Sequence, residues 1–325
     1  MNFLRLIRPI NLIIIAFTMY STRVFLYVYE HFFKTQLFTK EGESFDFFLL
    51  VFSTILIAAA GNIINDYFDV KADRINKPEQ LIITKYITRR WAIMSHWLLN
   101  GVAFSIAVYL SVRNHTFWYV FIHLLSINAL WFYSMSFKRK LLIGNITIAF
   151  LTALVPVLCG VHFYIQSQFP SGEIQETAAP ISYWIYHLLN HGHYIFILSF
   201  FAFTTNLARE IIKDIEDVEG DKVLQARTLP IIYGAQKSKL IAGIILFLAP
   251  IFFIILFLLK LKADGLFFQN LLIFLPVVIS LFLNLVSALL LIKSVTRKEL
   301  KTVELFVKIA MLMGLLLPFY WILLS

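Results

Sequence analysis

Two stretches of this chain carry aspartates at a spacing that can do chemistry. Asn65-Asp66-Tyr67-Phe68-Asp69-Val70-Lys71-Ala72-Asp73-Arg74 and Lys213-Asp214-Ile215-Glu216-Asp217-Val218-Glu219-Gly220-Asp221-Lys222 share the pattern Asp-x-x-Asp-x-x-x-Asp. On an α-helix, offsets of three and seven residues gather three carboxylates on one face, within an arc of about 60°. Carboxylates so placed repel one another. Each also continues an apolar run, and an Asp at the centre of a membrane span costs about 2.5–3.5 kcal/mol even on a mild scale. A cation must compensate. Oxygen ligands with few histidines nearby favour Mg²⁺ or Ca²⁺. Mg²⁺ commonly divides its coordination between one or two carboxylates and substrate phosphates. The lysines and arginines interleaved with these acids suit phosphate oxygens. Acids alone would indicate a cation site; acids among bases indicate metal and phosphate together.

One charged stretch at the end of an apolar run is ordinarily a solvated border. Two with the same acid spacing are not explained that way, and the likeness extends further. Val70 matches Val218, Arg74 matches Lys222, and Pro78 lies near the place of Pro230. The pattern is consistent with an internal repeat offset by four helices, its halves facing one cavity. Arg74, Lys77, Arg209, Lys213 and Arg227 flank the acids and are candidates for binding an anionic substrate. Asn62, one turn before Asp66, shares its face and is a candidate for metal or acceptor. Glu216 and Glu219 fall off the aspartate face and are expected in solvent.

The elements that must position these residues are membrane helices. Of 325 residues 60% are hydrophobic and only 14% charged, whereas soluble domains carry about a quarter charged residues. Apolar runs fall at 10–29, 46–64, 91–112, 116–134, 141–165, 193–212, 238–259, 268–292 and 305–324. Each is near the length of about 20 residues that a bilayer requires. The expectation is an all-α bundle of nine transmembrane helices forming a single domain over 1–325. The first run is expected to be retained, because it outlasts a signal-peptide core and lacks a small-residue cleavage site. Basic residues divide 21 to 5 between the two sides of these spans, with Arg23 and Lys308 inside them. That bias puts the aspartate loops in the cytoplasm of a multi-pass cell (inner) membrane protein, and Ser325 outside. The basic residues sit in short loops, which excludes nucleic acid as a partner; the lipid bilayer is the expected surroundings, and no obligate protein partner is evident. Cys159 is expected to be a buried packing residue. His187, His191 and His193 lie on the side away from the aspartates, where interfacial polar residues are the default.

On these residues the chain resembles the UbiA superfamily of intramembrane prenyltransferases over nearly its whole length. The family's first motif, Asn-Asp-x-x-Asp-x-x-x-Asp, matches Asn65, Asp66, Asp69 and Asp73; its second matches Asp214, Asp217 and Asp221. The resemblance implies that these residues ligate Mg²⁺, the cofactor, and that the metal with the six aspartates activates a prenyl diphosphate. It also implies transfer of the prenyl chain to a lipid or aromatic acceptor. Tyr133-Ser134-Met135-Ser136-Phe137-Lys138-Arg139-Lys140 resembles the family loop whose lysine approaches diphosphate, which makes Lys138 a candidate. Arg8-Pro9-Ile10-Asn11 is similar to an Arg-Pro-x-Asn of lipid-synthesising members, which makes Asn11 another.

The motif strings look most similar to the geranylgeranylglyceryl-phosphate geranylgeranyltransferase branch. That branch commonly continues Asn-x-Pro with an Arg-Pro-Ile-Pro-Ser-Gly-like segment, where this chain has Glu79-Gln80-Leu81-Ile82-Ile83-Thr84. A glyceryl-phosphate lipid is therefore the first acceptor expected and an aromatic quinone precursor the alternative. A cation-coupled transporter is the alternative of another class, but it would more naturally carry its acids at mid-span. The orientation is testable by cysteine labelling. A cysteine placed near Lys138 should react only from the cytoplasmic side and one near Glu173 only from outside; labelling of both from one side would overturn the orientation.

Overall fold

The computed structural model describes residues 2–33, 43–76, 78–168, 193–263 and 274–324. Within them the chain is helical, without strands, and carries one isolated bridge between Ile83 and Ile87. The helices are α1 (Asn2–Ile7), α2 (Pro9–Phe33), α3 (Glu43–Asn76), α4 (Arg89–Arg113), α5 (Trp118–Met135), α6 (Ile143–Gln168), α7 (His193–Glu216), α8 (Val218–Val223), α9 (Leu229–Tyr233), α10 (Ala235–Ala263), α11 (Leu275–Lys293), α12 (Arg297–Leu315) and α13 (Leu317–Leu324). Lys77 and the loop holding His187 and His191 lie outside the described residues. Where helices begin, the sequence supplies the caps. Thr88 accepts from the Trp91 backbone N–H, and Thr296 with Glu299 closes a reciprocal capping box at α12.

Among the described residues seven helices are long and apolar enough to cross a membrane, or eight if α12 and α13, bent by 43°, form one span. The sequence led to an expectation of nine. The difference arises at α5, which has the length and no charged residue but is diluted in hydropathy by Trp118, Tyr119, His123, Asn128 and Trp131.

Two buried clusters organise the bundle. One joins α2 to α6 through Met19, Leu50, Ala107, Tyr119 and Leu158, and takes in Cys159 at 1% exposure, as expected. The other joins α7, α10, α11 and α12 through Ile211, Leu246, Leu291 and Val307. A smaller cluster of Phe25, Ile197, Leu281 and Trp321 brings α2, α7, α11 and α13 together. Outward faces keep large apolar side chains exposed, among them Trp97, Leu98 and Phe282. Exposed apolar surface of that kind is what lipid solvates.

Helix α3 carries charge at both ends and almost none between. Glu43 and Asp46 lie at its start, and Asp66 lies 20 residues on, about 30 Å at 1.5 Å per residue, the thickness of a bilayer's hydrocarbon core. Every carboxylate at the start is met by a partner from another helix. Arg23 of α2 reaches Glu43 at 2.5 Å and lies over the Phe47 ring, and Arg113 of α4 reaches Asp46 at 3.0 Å. His162 of α6 approaches Glu43 at 3.6 Å and bonds the Tyr119 hydroxyl at 2.8 Å. Removing one member of a buried pair strands the other and costs about 3–5 kcal/mol. Glu43→Ala should therefore lower the thermal unfolding midpoint in detergent, while Glu219→Ala, at an exposed pair, should leave it where it was. Equal midpoints for Glu43→Ala and the parent would show that this network does not hold the helices together.

Candidate active site at the aspartate motifs

The first motif occupies the last three turns of α3, so Asn65, Asp66, Asp69 and Asp73 follow one another down a continuous helix. The second is not continuous. Helix α7 carries Arg209, Lys213 and Asp214 and stops at Glu216; Asp217 sits at the junction with φ −100°, and α8 carries Asp221. The expected single helical face is thus corrected to a kink at Asp217, although Asp217 N–H still bonds Lys213 O and Asp221 N–H bonds Asp217 O.

Asn76 joins the two motifs. Its side-chain amide donates to the Asp217 carbonyl at 3.2 Å and accepts from the Gly220 N–H at 3.0 Å. A Cβ on Gly220 would fall 2.2 Å from the Asn76 amide nitrogen, so only glycine admits this approach. The loop before α6 is sewn to the same end, since the Arg227 N–H donates to the Arg139 carbonyl at 2.7 Å. Gly144 lets that loop close down on α6, for its Cβ would lie 2.6 Å from the Lys138 Cα. Arg8 reaches the site from a junction with φ of 55°, and Leu142, in the loop before α6, has φ of 57°. Left-handed non-glycine residues are uncommon and cluster at functional sites.

The acids are met by groups from distant chain segments. Arg8 pairs with Asp66 at 2.5 Å. Lys138 pairs with Asp69 and donates to Asn65 at 3.2 Å. Asn145 donates to Asp214 at 2.8 Å, and Arg297 lies 3.5 Å from Asp217. Burial works against the Arg8 charge, but Asp66 outweighs it and holds the guanidinium pKa above its ordinary value. Burial dominates at Lys138 and lowers its pKa despite Asp69. Asp221 is pushed up to about 6, first by burial and then by the charges of Asp217 and Asp69. Carboxylates of both motifs therefore act on one group, and an added cation would relieve them. Among the described residues no three acids, imidazoles or thiols converge to hold an ion by themselves. The donors fit Mg²⁺ in its usual manner, one or two carboxylates at a time with phosphate oxygens completing the shell.

Behind this end lies a cavity of about 390 Å³ between α2, α3, α5, α6, α7, α11, α12 and α13. Arg8, Asn11, Asn62, Asn65, Arg209, Glu210, Lys213 and Lys308 line its charged end; Ile57, Leu130, Leu158, Phe201 and Leu281 are among the apolar walls. Asn62 also donates to the Ile7 carbonyl at 2.9 Å, fixing α1 against α3. Arg74 and Arg227 are exposed and do not line the cavity. Glu219 is exposed and paired with Lys222, as expected, but Glu216, the last residue of α7, is half-buried. The sequence reading did not single out Arg8, Asn76, Asn145, Glu210 and Glu304. Only Arg8 carried a signal, through its place before Pro9.

The clip between motifs gives a direct test. Gly220→Ala must expel the Asn76 amide, and Asn76→Ala removes both its bonds. A loss of about 1.4 kcal/mol in transition-state positioning is tenfold in rate. Each variant should lose at least that in prenyl transfer while remaining monodisperse, and parental rates in both would show that the clip does not position the site.

The UbiA prenyltransferase family model matches residues 32–316. The digeranylgeranylglyceryl phosphate synthase of Methanothermobacter thermautotrophicus is 34% identical over 209 residues, which is 64% of this chain and 63% of that protein. The match thus spans a little under two thirds of the curated relative's length. A solved structure of a digeranylgeranylglyceryl phosphate synthase in membranes superposes with TM-score 0.63 at 25% identity, covering 98% of this chain and 96% of the other. A UbiA homologue from Archaeoglobus fulgidus bound to GPP and Mg²⁺ shares the fold, with TM-score 0.55 at 14% identity over 97% and 98% of the chains. Carried by long apolar helices and matched along most of its length, this integral membrane chain belongs to the UbiA prenyltransferase family.

Proposed function

We propose that the chain transfers a prenyl group from a prenyl diphosphate to a glyceryl-phosphate lipid, with Mg²⁺ as cofactor. The observation that carries this reading is that two aspartate motifs, joined through Asn76 and met by Arg8 and Lys138, adjoin the end of a largely apolar cavity that Arg8, Asn65 and Lys213 line. An isoprenoid chain needs apolar walls, and its diphosphate needs cations and metal ligands at the open end. Asn65, Asp66, Asp69, Asp73, Asp214, Asp217 and Asp221 are the residues proposed to hold the metal. When bound, Mg²⁺ supplies neutralisation of the negative charge that gathers on the departing diphosphate, worth several kcal/mol. The chain's own cations have the same task. Arg8, Lys138 and Lys213 can turn from the carboxylates to the diphosphate oxygens without leaving the site. The apolar wall excludes water, so the allylic cation left by the departing diphosphate meets the acceptor hydroxyl instead, whose oxygen forms the new C–O bond as its proton passes to a diphosphate oxygen.

The product made by the relatives supports this acceptor. A digeranylgeranylglyceryl phosphate carries two prenyl chains, so its last prenylation starts from a glyceryl phosphate bearing one. The finer architecture belongs to the same proposal: α5 as a ninth span, two facing halves related by repetition, and the aspartate end in the cytoplasm of the cell membrane. Arg74 and Arg227 are retained as residues that meet the diphosphate from outside the cavity, and Lys77 as a further residue proposed to bind it.

The half-sites are expected to act on one diphosphate. Asp69→Asn and Asp217→Asn should each cut transfer by orders of magnitude, since several kcal/mol lie in such a contact and each ~1.4 kcal/mol is tenfold. The double variant should be little worse than the worse single one. Glu219→Gln, exposed and away from the acids, should stay within a few-fold of the parent. EDTA should abolish transfer and added Mg²⁺ restore it. Near-parental rates in the two aspartate variants, or full activity without metal, would sink the reading.

A further inference from the structure

Below the aspartates the cavity wall carries a second charged layer that the motifs do not include. Arg209 of α7 lies five residues before Asp214, about 7.5 Å along the helix. Its guanidinium reaches Glu304 of α12 at 3.2 Å, Glu210 at 3.3 Å and the Asn206 side-chain oxygen Oδ1 at 3.0 Å. Lys308, one turn beyond Glu304, bonds the same Glu304 oxygen at 2.8 Å, and Lys213 lies 3.4 Å from Glu210. Within this layer three cations therefore share two carboxylates, one positive charge more than negative, and the next acid along α7 is Asp214 of the motif.

The arrangement is also directional. The carboxylates are the more deeply buried partners, with Glu210 at 6% and Glu304 at 17% side-chain exposure, against 39% for Lys308. Arg209, Glu210, Lys213 and Lys308 line the cavity, and Glu304 does not. Glu304 thus backs Arg209 and Lys308 from behind and leaves their open side toward the cavity. An ammonium has three donors, and Lys308 directs one to Glu304. An excess charge held in low dielectric is costly unless an anion joins it. Immediately past Lys308 the same wall continues as Met311, Leu312 and Leu315, which suits an alkyl chain attached to that anion.

We propose that Lys308, with Arg209, forms an anion subsite that holds the phosphate headgroup of the acceptor lipid, apart from the diphosphate held at the motifs. The subsite rests on the prenyl-transfer reading for its role, since it places the acceptor's glyceryl group beside the departing diphosphate. Its existence as an anion site does not depend on catalysis.

Thermal unfolding in detergent separates the two. The probes are geranylgeranylglyceryl phosphate, its dephosphorylated diol and 4-hydroxybenzoate, added to the purified parent and to Lys308→Met, Lys308→Arg and Glu304→Gln. The phosphate lipid should raise the parent midpoint more than the diol does. Lys308→Met should lose that difference and Lys308→Arg should keep it. Glu304→Gln, by releasing both cations from their shared carboxylate, should enlarge it, an outcome that a merely structural ion pair would not give. In transfer assays Lys308→Met should raise KM for the lipid at least tenfold and leave KM for prenyl diphosphate unchanged. A parent that does not distinguish phosphate from diol overturns the subsite, as does a Lys308→Met protein that still does. So does a Glu304→Gln protein with a smaller difference, which decides the matter if Lys308→Met fails to fold. Stabilisation by 4-hydroxybenzoate alone overturns the phosphate assignment. Phosphate-dependent stabilisation without any transfer leaves the subsite standing and removes the prenyl-transfer reading instead.

Discussion

A carboxylate at the end of an apolar helix has lost much of its water and must find its compensation in the protein. This constraint organises the bundle at both ends of α3. At one end Glu43 and Asp46 are met by Arg23, Arg113 and His162, from three different helices. At the other, Asp66 and Asp69 are met by Arg8 and Lys138, from the α1–α2 junction and the loop before α6. Each pairing ties a different piece of chain to α3, so the helix serves as the post around which the first half assembles. The ends differ in what the pairing leaves open. The Glu43 and Asp46 carboxylates are almost fully buried, whereas Asp66 and Asp69 remain partly exposed. The first arrangement is suited to holding helices, and the second to exchanging partners with a ligand.

The apolar bundle supplies the complementary half of the chemistry. The cavity joins the charged end to walls from the cluster of α2 to α6 and from the smaller cluster of α2, α7, α11 and α13, so a long apolar substrate and a charged leaving group are accommodated in one space. Low dielectric strengthens every charge interaction at the mouth. It also raises the cost of each charge left unmatched. That explains why Asp221, beside Asp217 and Asp69, is driven toward protonation and why a further cation suits the site.

Much of this was legible in the sequence, for reasons of range. The aspartate spacing is a local pattern, and apolar runs declare helices without reference to anything distant. Lys138 and Asn65 stood out because they sit within such local patterns, and the chain folds them together. The partners of the acids were not legible, because they are tertiary. Arg8 and Asp66 are 58 residues apart, and Asn76 and Asp217 are 141 apart. Asn76 ends a helix with an ordinary polar residue, and nothing in its neighbourhood marks it as the joint between two motifs. Lys308 was visible only as a charge inside a span; its meaning depends on Arg209 and Glu304 lying opposite. The kink at Asp217 escaped because heptad-like spacing reads as a continuous helix whether or not the backbone bends there.

The central claim is that two halves of the chain form one diphosphate site that needs a divalent cation. The most direct measurement is calorimetric titration of the purified protein with a non-reactive prenyl thiodiphosphate, with and without Mg²⁺. The account predicts one analogue bound per chain, only when Mg²⁺ is present, with binding lost when either motif is disabled. Two independent binding events, or full affinity in the absence of metal, would contradict it.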